Sequence, residues 1–151
     1  MEERQRTAQV MVVDDDPDTV IILARHVQRE GYTAIEASSG LECLRILRER
    51  SVDLILLDLM MPEMDGFEVC RALKGNPATA EIPIIMITAR DDLEARAEGM
   101  RLGVADFLAK PVFRRQLANR ISAQLDAVAA VRTAEAALNR LRGHLGGDKS
   151  K

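Results

Sequence analysis

The chain has 151 residues, 47% hydrophobic and 30% charged, ordinary values for a soluble globular protein and enough length for one domain with a full core rather than two. Its aromatics are three Phe and one Tyr with no Trp, so the core is aliphatic and a surface that stacks nucleic-acid bases on aromatic rings is not expected. The net charge of −3 is uneven: residues 1–111 hold 13 Lys/Arg against 21 Asp/Glu, and residues 112–151 hold 8 against 3.

The first residues, MEERQR, run straight into an apolar stretch with no secretory-leader pattern. No apolar run reaches the ~18–20 residues that cross a bilayer, so a cytoplasmic protein without membrane contact is expected. Residues 10–13 read as a buried strand ending in Asp14, Asp15 and Asp16. Asp16 before Pro17 is the pattern of a helix cap with Pro at the first helical position, and it opens a helix over 17–30 that stops at Gly31. A strand over 34–36 follows, then Ser38 or Ser39 as the cap of a helix over 40–49. The third strand, 54–57, ends in Asp58; Asp65 before Gly66 reads as a turn residue, and a helix over 66–74 ends at Gly75-Asn76-Pro77. The fourth strand, 84–87, leads into Thr88 and Ala89. Asp91 and Asp92 read as caps of a helix over 92–102, stopped by Gly103. The fifth strand, 107–109, opens with Phe107 and runs into Lys110-Pro111, and a long helix starts near residue 113. His26 and His144 read as surface groups on helices. Cys43 and Cys70 read as reduced thiols in or beside the core, too far apart for a metal-binding spacing.

Strict alternation of strands and helices predicts an α/β fold: five parallel strands with helices on both faces. Strands 1, 3 and 4 are nearly continuous in Val, Ile and Leu, as burial on both faces requires. Right-handed crossovers leave few strand orders; the flavodoxin-like order 2-1-3-4-5 places a ligand site at the carboxyl ends of strands 1 and 3. Polar residues gather at that edge. Asp14, Asp15 and Asp16 follow strand 1, Asp58 follows strand 3, Thr88 follows strand 4 and Lys110 follows strand 5. Converging carboxylates repel, and a hard divalent cation such as Mg²⁺, which takes oxygen ligands, relieves the repulsion. Lys110 adds a positive charge and Thr88 a hydroxyl donor, and together these groups suit a phosphoryl group. Asp58 is the natural nucleophile, because no Ser, Cys or His sits at a strand end to compete.

The runs VMVVDDDP, LILLDLMMPEMDGFEV, IPIIMITA and ADFLAKP resemble, in order and spacing, the four signature segments of CheY-like response-regulator receiver domains of two-component signalling; the resemblance covers residues 8–126. It implies that Asp58 is the phosphoacceptor and that Asp14 and Asp15 are the acidic pair at Mg²⁺, with Asp15 preferred as a direct ligand. The backbone carbonyl of Met60 is then the third protein ligand, Thr88 the switch hydroxyl, Lys110 the phosphate-pairing lysine and Phe107 the switch aromatic. It further implies a sensor histidine kinase or histidine phosphotransfer protein as donor, and a signalling domain with autocatalysed phosphotransfer and autodephosphorylation rather than an enzyme with a separate substrate. On phosphorylation Thr88 is expected to move toward the phosphoryl group and Phe107 to swing inward past the small Ala89. That motion reshapes the face made by the fourth helix, fifth strand and fifth helix.

Receivers of this family end near residue 126, but the helical pattern here runs on to about residue 145, with a fraying polar tail over 146–151. Leu117, Ile121, Leu125 and Val128 form a stripe suited to the core. Ala127, Val131, Ala134, Leu138, Leu141 and Leu145 form a second stripe at heptad spacing, which suits weak self-association, docking to a partner helix, or a linker. The basic residues of this part read as a solvated helix face. Two other readings compete for the domain. An aspartate-nucleophile Mg²⁺ phosphohydrolase carries a second acid two residues after the nucleophile, where this chain has Met60. A structural adaptor that is never phosphorylated would not need all of the polar groups gathered here.

Overall fold

The computed structural model describes residues 7–149, with side chains through residue 144. The elements are β1 (Gln9–Val13), α1 (Pro17–Arg29), β2 (Thr33–Ala37), α2 (Gly40–Glu49), β3 (Leu54–Leu57), α3 (Gly66–Lys74), β4 (Ile84–Thr88), α4 (Leu93–Arg101), β5 (Asp106–Ala109) and α5 (Arg114–Lys149). The five strands form one parallel sheet in the order β2-β1-β3-β4-β5, the flavodoxin-like order the alternation predicts.

Alternate side chains of the central strands point to opposite faces, so each strand feeds two cores. On one face Val10, Val12, Leu54, Leu56, Ile85, Ile87 and Leu108 pack with Val20, Leu23 and Val27 of α1 and Leu117 and Ile121 of α5. On the other, Met11, Val13, Ile55, Leu57, Ile84, Met86 and Phe107 pack with helices α2, α3 and α4. This double burial explains why the strands are continuous apolar runs, and it leaves polar groups to the sheet edges.

Caps fix where the helices start. Asp16 caps α1, its carboxylate accepting from the Asp18 N–H at 3.3 Å and the Thr19 hydroxyl at 2.7 Å. Ser39, not Ser38, caps α2, accepting from the Glu42 N–H at 3.0 Å, while the Ser38 hydroxyl donates to Glu42. Asp65 does more than turn the chain: it forms a reciprocal capping box with Glu68 at the start of α3. Asp92 alone caps α4; Asp91 instead pairs with Arg96. Gly31 and Gly103, at φ of 91° and 90°, occupy the left-handed region that a side chain disfavours.

The α5 backbone is helical to Lys149, beyond the end near residue 145 that the sequence suggests and into the tail expected to fray. Residues 150–151 lie outside the described residues, as do the side chains of 145–149, including Leu145 of the second stripe. Leu117 and Ile121 are buried and Leu125 is half-buried against the core, while Val131, Leu138 and Leu141 of the second stripe are exposed. Cys43 and Cys70 are free and buried. His144 is exposed, but His26 is half-buried rather than a surface group, and its Nδ1 is buried without a hydrogen-bond partner. No helix among the described residues is long and apolar enough to cross a membrane.

Candidate functional site

The carboxyl edge of the sheet is built by extending the strand ladders one residue past each strand. The Asp58 N–H donates to the Val13 carbonyl at 3.0 Å, and the Asp14 N–H donates to the Ala37 carbonyl at 3.2 Å. The Lys110 N–H donates to the Thr88 carbonyl at 2.9 Å. These bonds place Asp14, Asp58 and Lys110 side by side at the switch point of the sheet, where β1 lies between β2 and β3.

Carboxylate oxygens of Asp14, Asp15 and Asp58 lie within 4.8 Å of one another. Asp14 and Asp58 are buried, at 2% and 6% exposure, whereas Asp15 faces solvent. The Lys110 ammonium donates to Asp14 Oδ2 at 2.8 Å and to Asp58 Oδ2 at 3.4 Å. Asp14 Oδ1 also accepts from the Asp16 N–H at 2.9 Å, so both oxygens of Asp14 are occupied. Asp58 holds only long contacts, the one to Lys110 and one from the Met60 N–H at 3.3 Å. Burial, and then the charge of Asp14, push the Asp58 carboxyl above the usual carboxylate range against the pull of Lys110. Burial works against the Lys110 ammonium, but Asp14 and Asp58 outweigh it and hold the lysine charged above its ordinary range.

The donor set is all oxygen and carries three carboxylates against one cation, which fits a hard divalent ion. Met60 beside the site is exposed, and its N–H reaches the Asp58 carboxylate at 3.3 Å. Thr88 is fully buried, its hydroxyl accepting from the Arg90 N–H at 3.1 Å. Ala89 next to it is exposed.

Phe107 of β5 is buried. Its ring, expected to move inward on switching, already lies inward at 5% exposure, under the Arg96 guanidinium at 5.0 Å and against Gly99. Gly99 makes the space: a Cβ there would stand 3.3 Å from the ring. Asp106, the first residue of β5, accepts from Arg120 Nη1 of α5 at both carboxylate oxygens, each at 2.8 Å, which ties β5 to α5. Sequence periodicity gives no sign of this link, because the partners lie on different elements.

Gly66 was also missed, since its dipeptide with Asp65 looks like an ordinary turn. The Gly66 N–H donates to the Leu59 carbonyl at 2.8 Å and closes the loop after Asp58. A Cβ at Gly66 would stand 2.6 Å from the Asp58 carbonyl oxygen and 2.8 Å from the Leu59 Cα. The glycine therefore lets the start of α3 press on the backbone that carries Asp58.

Comparison with known proteins agrees with this geometry. The family model "Response regulator receiver domain" matches residues 10–122. The response regulator PleD of Caulobacter vibrioides is 42% identical over 70% of this chain and 23% of its own length. The alkaline phosphatase synthesis transcriptional regulatory protein PhoP of Bacillus subtilis is 38% identical over 77% of this chain and 48% of its own length. The chain thus spans from about a quarter to about half of the length of these relatives. Among solved structures, the signal receiver domain of a signal transduction histidine kinase from Syntrophus aciditrophicus superposes with a TM-score of 0.75 at 33% identity, over 81% of this chain and 92% of that one. With the family model covering most of the chain and the fold and acidic edge in agreement, this protein belongs to the response regulator receiver family.

Proposed function

We propose that the chain is a phosphoacceptor switch in which Asp58 takes a phosphoryl group from a phosphohistidine of a sensor kinase or phosphotransfer protein. The observation that carries the reading is the convergence of Asp14, Asp15, Asp58 and Lys110 at one end of a sheet that is otherwise apolar. Asp14, Asp15, Asp58 and the Met60 carbonyl would hold Mg²⁺, which when bound offsets the charge of the carboxylates and of the phosphoryl oxygens.

An Asp58 carboxylate oxygen attacks phosphorus. The new P–O bond forms as the P–N bond to the donor imidazole breaks, and that bond pair returns to the ring. Raised basicity and the lack of short hydrogen bonds make Asp58 the available nucleophile, whereas the oxygens of Asp14 are already engaged. Lys110 then exchanges part of its contact with Asp14 and Asp58 for the phosphoryl oxygens. Water attacking phosphorus would later release inorganic phosphate and return the carboxylate.

The readout is proposed to pass from Thr88 to the face made by α4, β5 and α5. Because the Phe107 ring already lies inward, the change rests on the Thr88 hydroxyl turning toward the phosphoryl group and drawing the Arg90 backbone with it. A kinase donor implies a cytoplasmic setting. The relatives named above differ in output, so none of their outputs is carried over. The phosphohydrolase reading is disfavoured because Met60 stands where that class places its acid. Asp58→Asn, incubated with acetyl phosphate and Mg²⁺, should take up no label while the parent does. Mg²⁺-dependent labelling of the variant equal to the parent's would overturn the assignment.

A further inference from the structure

Two features away from the acidic edge lack partners. One is the second stripe of α5, where Val131, Leu138 and Leu141 are 56%, 47% and 59% exposed and Ala127 and Ala134 are exposed beside them. The other is a groove of about 690 Å³ at the opposite, amino-terminal edge of the sheet. Leu47, Val52, Ile82, Val128 and Val131 line it, so the near half of the stripe is also one wall of the groove.

Charge separates along the helix. Glu81 and Glu135 also line the groove, and neither has an ion pair among the described residues. Farther along α5, Arg140 and Arg142 are exposed and equally unpaired among those residues. Arg132 joins the acids in the groove, while Arg50 and Asp53 are already engaged with Gln9.

We propose that the exposed stripe of α5 is covered by the same stripe of a second copy of this chain, docked antiparallel. The heptad decides the direction. With Val131 and Leu138 at position a and Ala134 and Leu141 at position d, Glu135 and Arg142 fall at e, while the g positions include Ala130 and Ala137. A parallel pair sets e against g, where these alanines offer no charge. An antiparallel pair sets e against e, bringing Glu135 beside the partner's Arg142 twice over, with Leu138 stacked on the partner's Leu141. The stripe holds alanines as well as larger side chains, so the pair is weak. Its two acidic sites lie at opposite ends, both open to a phosphodonor. This inference stands independently of the phosphotransfer reading.

The test uses the full chain. Glu135→Cys and Arg142→Cys variants, distinguishable by mass, are treated with a short bis-maleimide singly and mixed. The native Cys43 and Cys70 are fully buried and stay silent. The mixed product should exceed either self-linked product about tenfold, and Leu141→Glu should weaken association about tenfold or more in sedimentation, with an unchanged melting temperature. In a parallel pair both cysteines would face g positions of the partner, so a mixed product no greater than the self-linked ones would overturn the inference. A strict monomer at millimolar concentration would do the same.

Discussion

Gly66→Ala couples the fold to the site in one methyl group. The added Cβ would stand 2.6 Å from the Asp58 carbonyl oxygen and 2.8 Å from the Leu59 Cα, when unstrained non-bonded carbon contacts lie at about 3.5–4.0 Å. Both neighbours are backbone, so no rotamer change relieves the clash; α3 and the loop after Asp58 must separate by roughly 1 Å. Overpacking of this kind costs about 1–3 kcal/mol, and the better helix propensity of Ala returns at most about 1 kcal/mol. The net loss is about 1–2 kcal/mol, a fall in melting temperature of roughly 2–8 °C for a chain of this size. Because the displaced atoms belong to Asp58 itself, labelling by acetyl phosphate should slow together with the loss of stability. Gly143→Ala is the matched control, since its Cβ meets nothing within 4 Å, and there the helix preference of up to about 1 kcal/mol should appear as a gain. Circular-dichroism melts and labelling rates for the two variants decide the matter. If Gly66→Ala gains stability as Gly143→Ala does and labels at the parent rate, the argument from close backbone approach is wrong.

Asp58→Asn should stabilise the protein in metal-free buffer at pH 7. Its folded carboxyl is raised by burial and Asp14, so the folded state holds the proton more tightly than the unfolded state does; that contribution is present below the unfolded pKa and lost as pH rises through the folded one. The urea-midpoint advantage of the variant should therefore shrink between pH 7 and pH 4, and an advantage independent of pH would count against the cause given. Lys110→Ala should keep a Mg²⁺-dependent rise in melting temperature, because the carboxylates supply the metal ligands, yet label more slowly; loss of the Mg²⁺ response would reassign the lysine. Cys43 and Cys70, pushed up to about 12 and about 11 chiefly by burial, should not react with a thiol-specific disulfide reagent at pH 8 until the protein is denatured, and prompt reaction of either in native buffer would contradict the packing.

Much of the fold was legible because two local rules carry it. Short apolar runs such as Leu54–Leu57, bounded by turn residues, suit strands buried on both faces, and Asp16-Pro17 or Gly103 mark helix ends through backbone conformation. The main site residues were legible because Asp14, Asp58 and Lys110 each directly follow a strand and Thr88 ends one, so naming the strands names the edge. Distinctions between similar neighbours were less accessible. Ser38 and Ser39, or Asp91 and Asp92, carry the same cap chemistry, and only the direction of the incoming chain selects Ser39 and Asp92.

The sequence by itself determined the alternation of elements, the parallel sheet, and the charged groups at its carboxyl edge, since these follow from short-range periodicity and residue chemistry. Tertiary structure alone decided how the groups divide their roles: Lys110 nearer Asp14 than Asp58, Asp15 in solvent, and Gly66 against the Asp58 backbone. It alone also placed the Phe107 ring inward, joined Asp106 to Arg120, and formed a groove from one wall of α5. The physical reason is the same in each case. These features depend on ångström-scale distances between residues far apart in the chain, set by the packing of whole elements, and no pattern within one element encodes them.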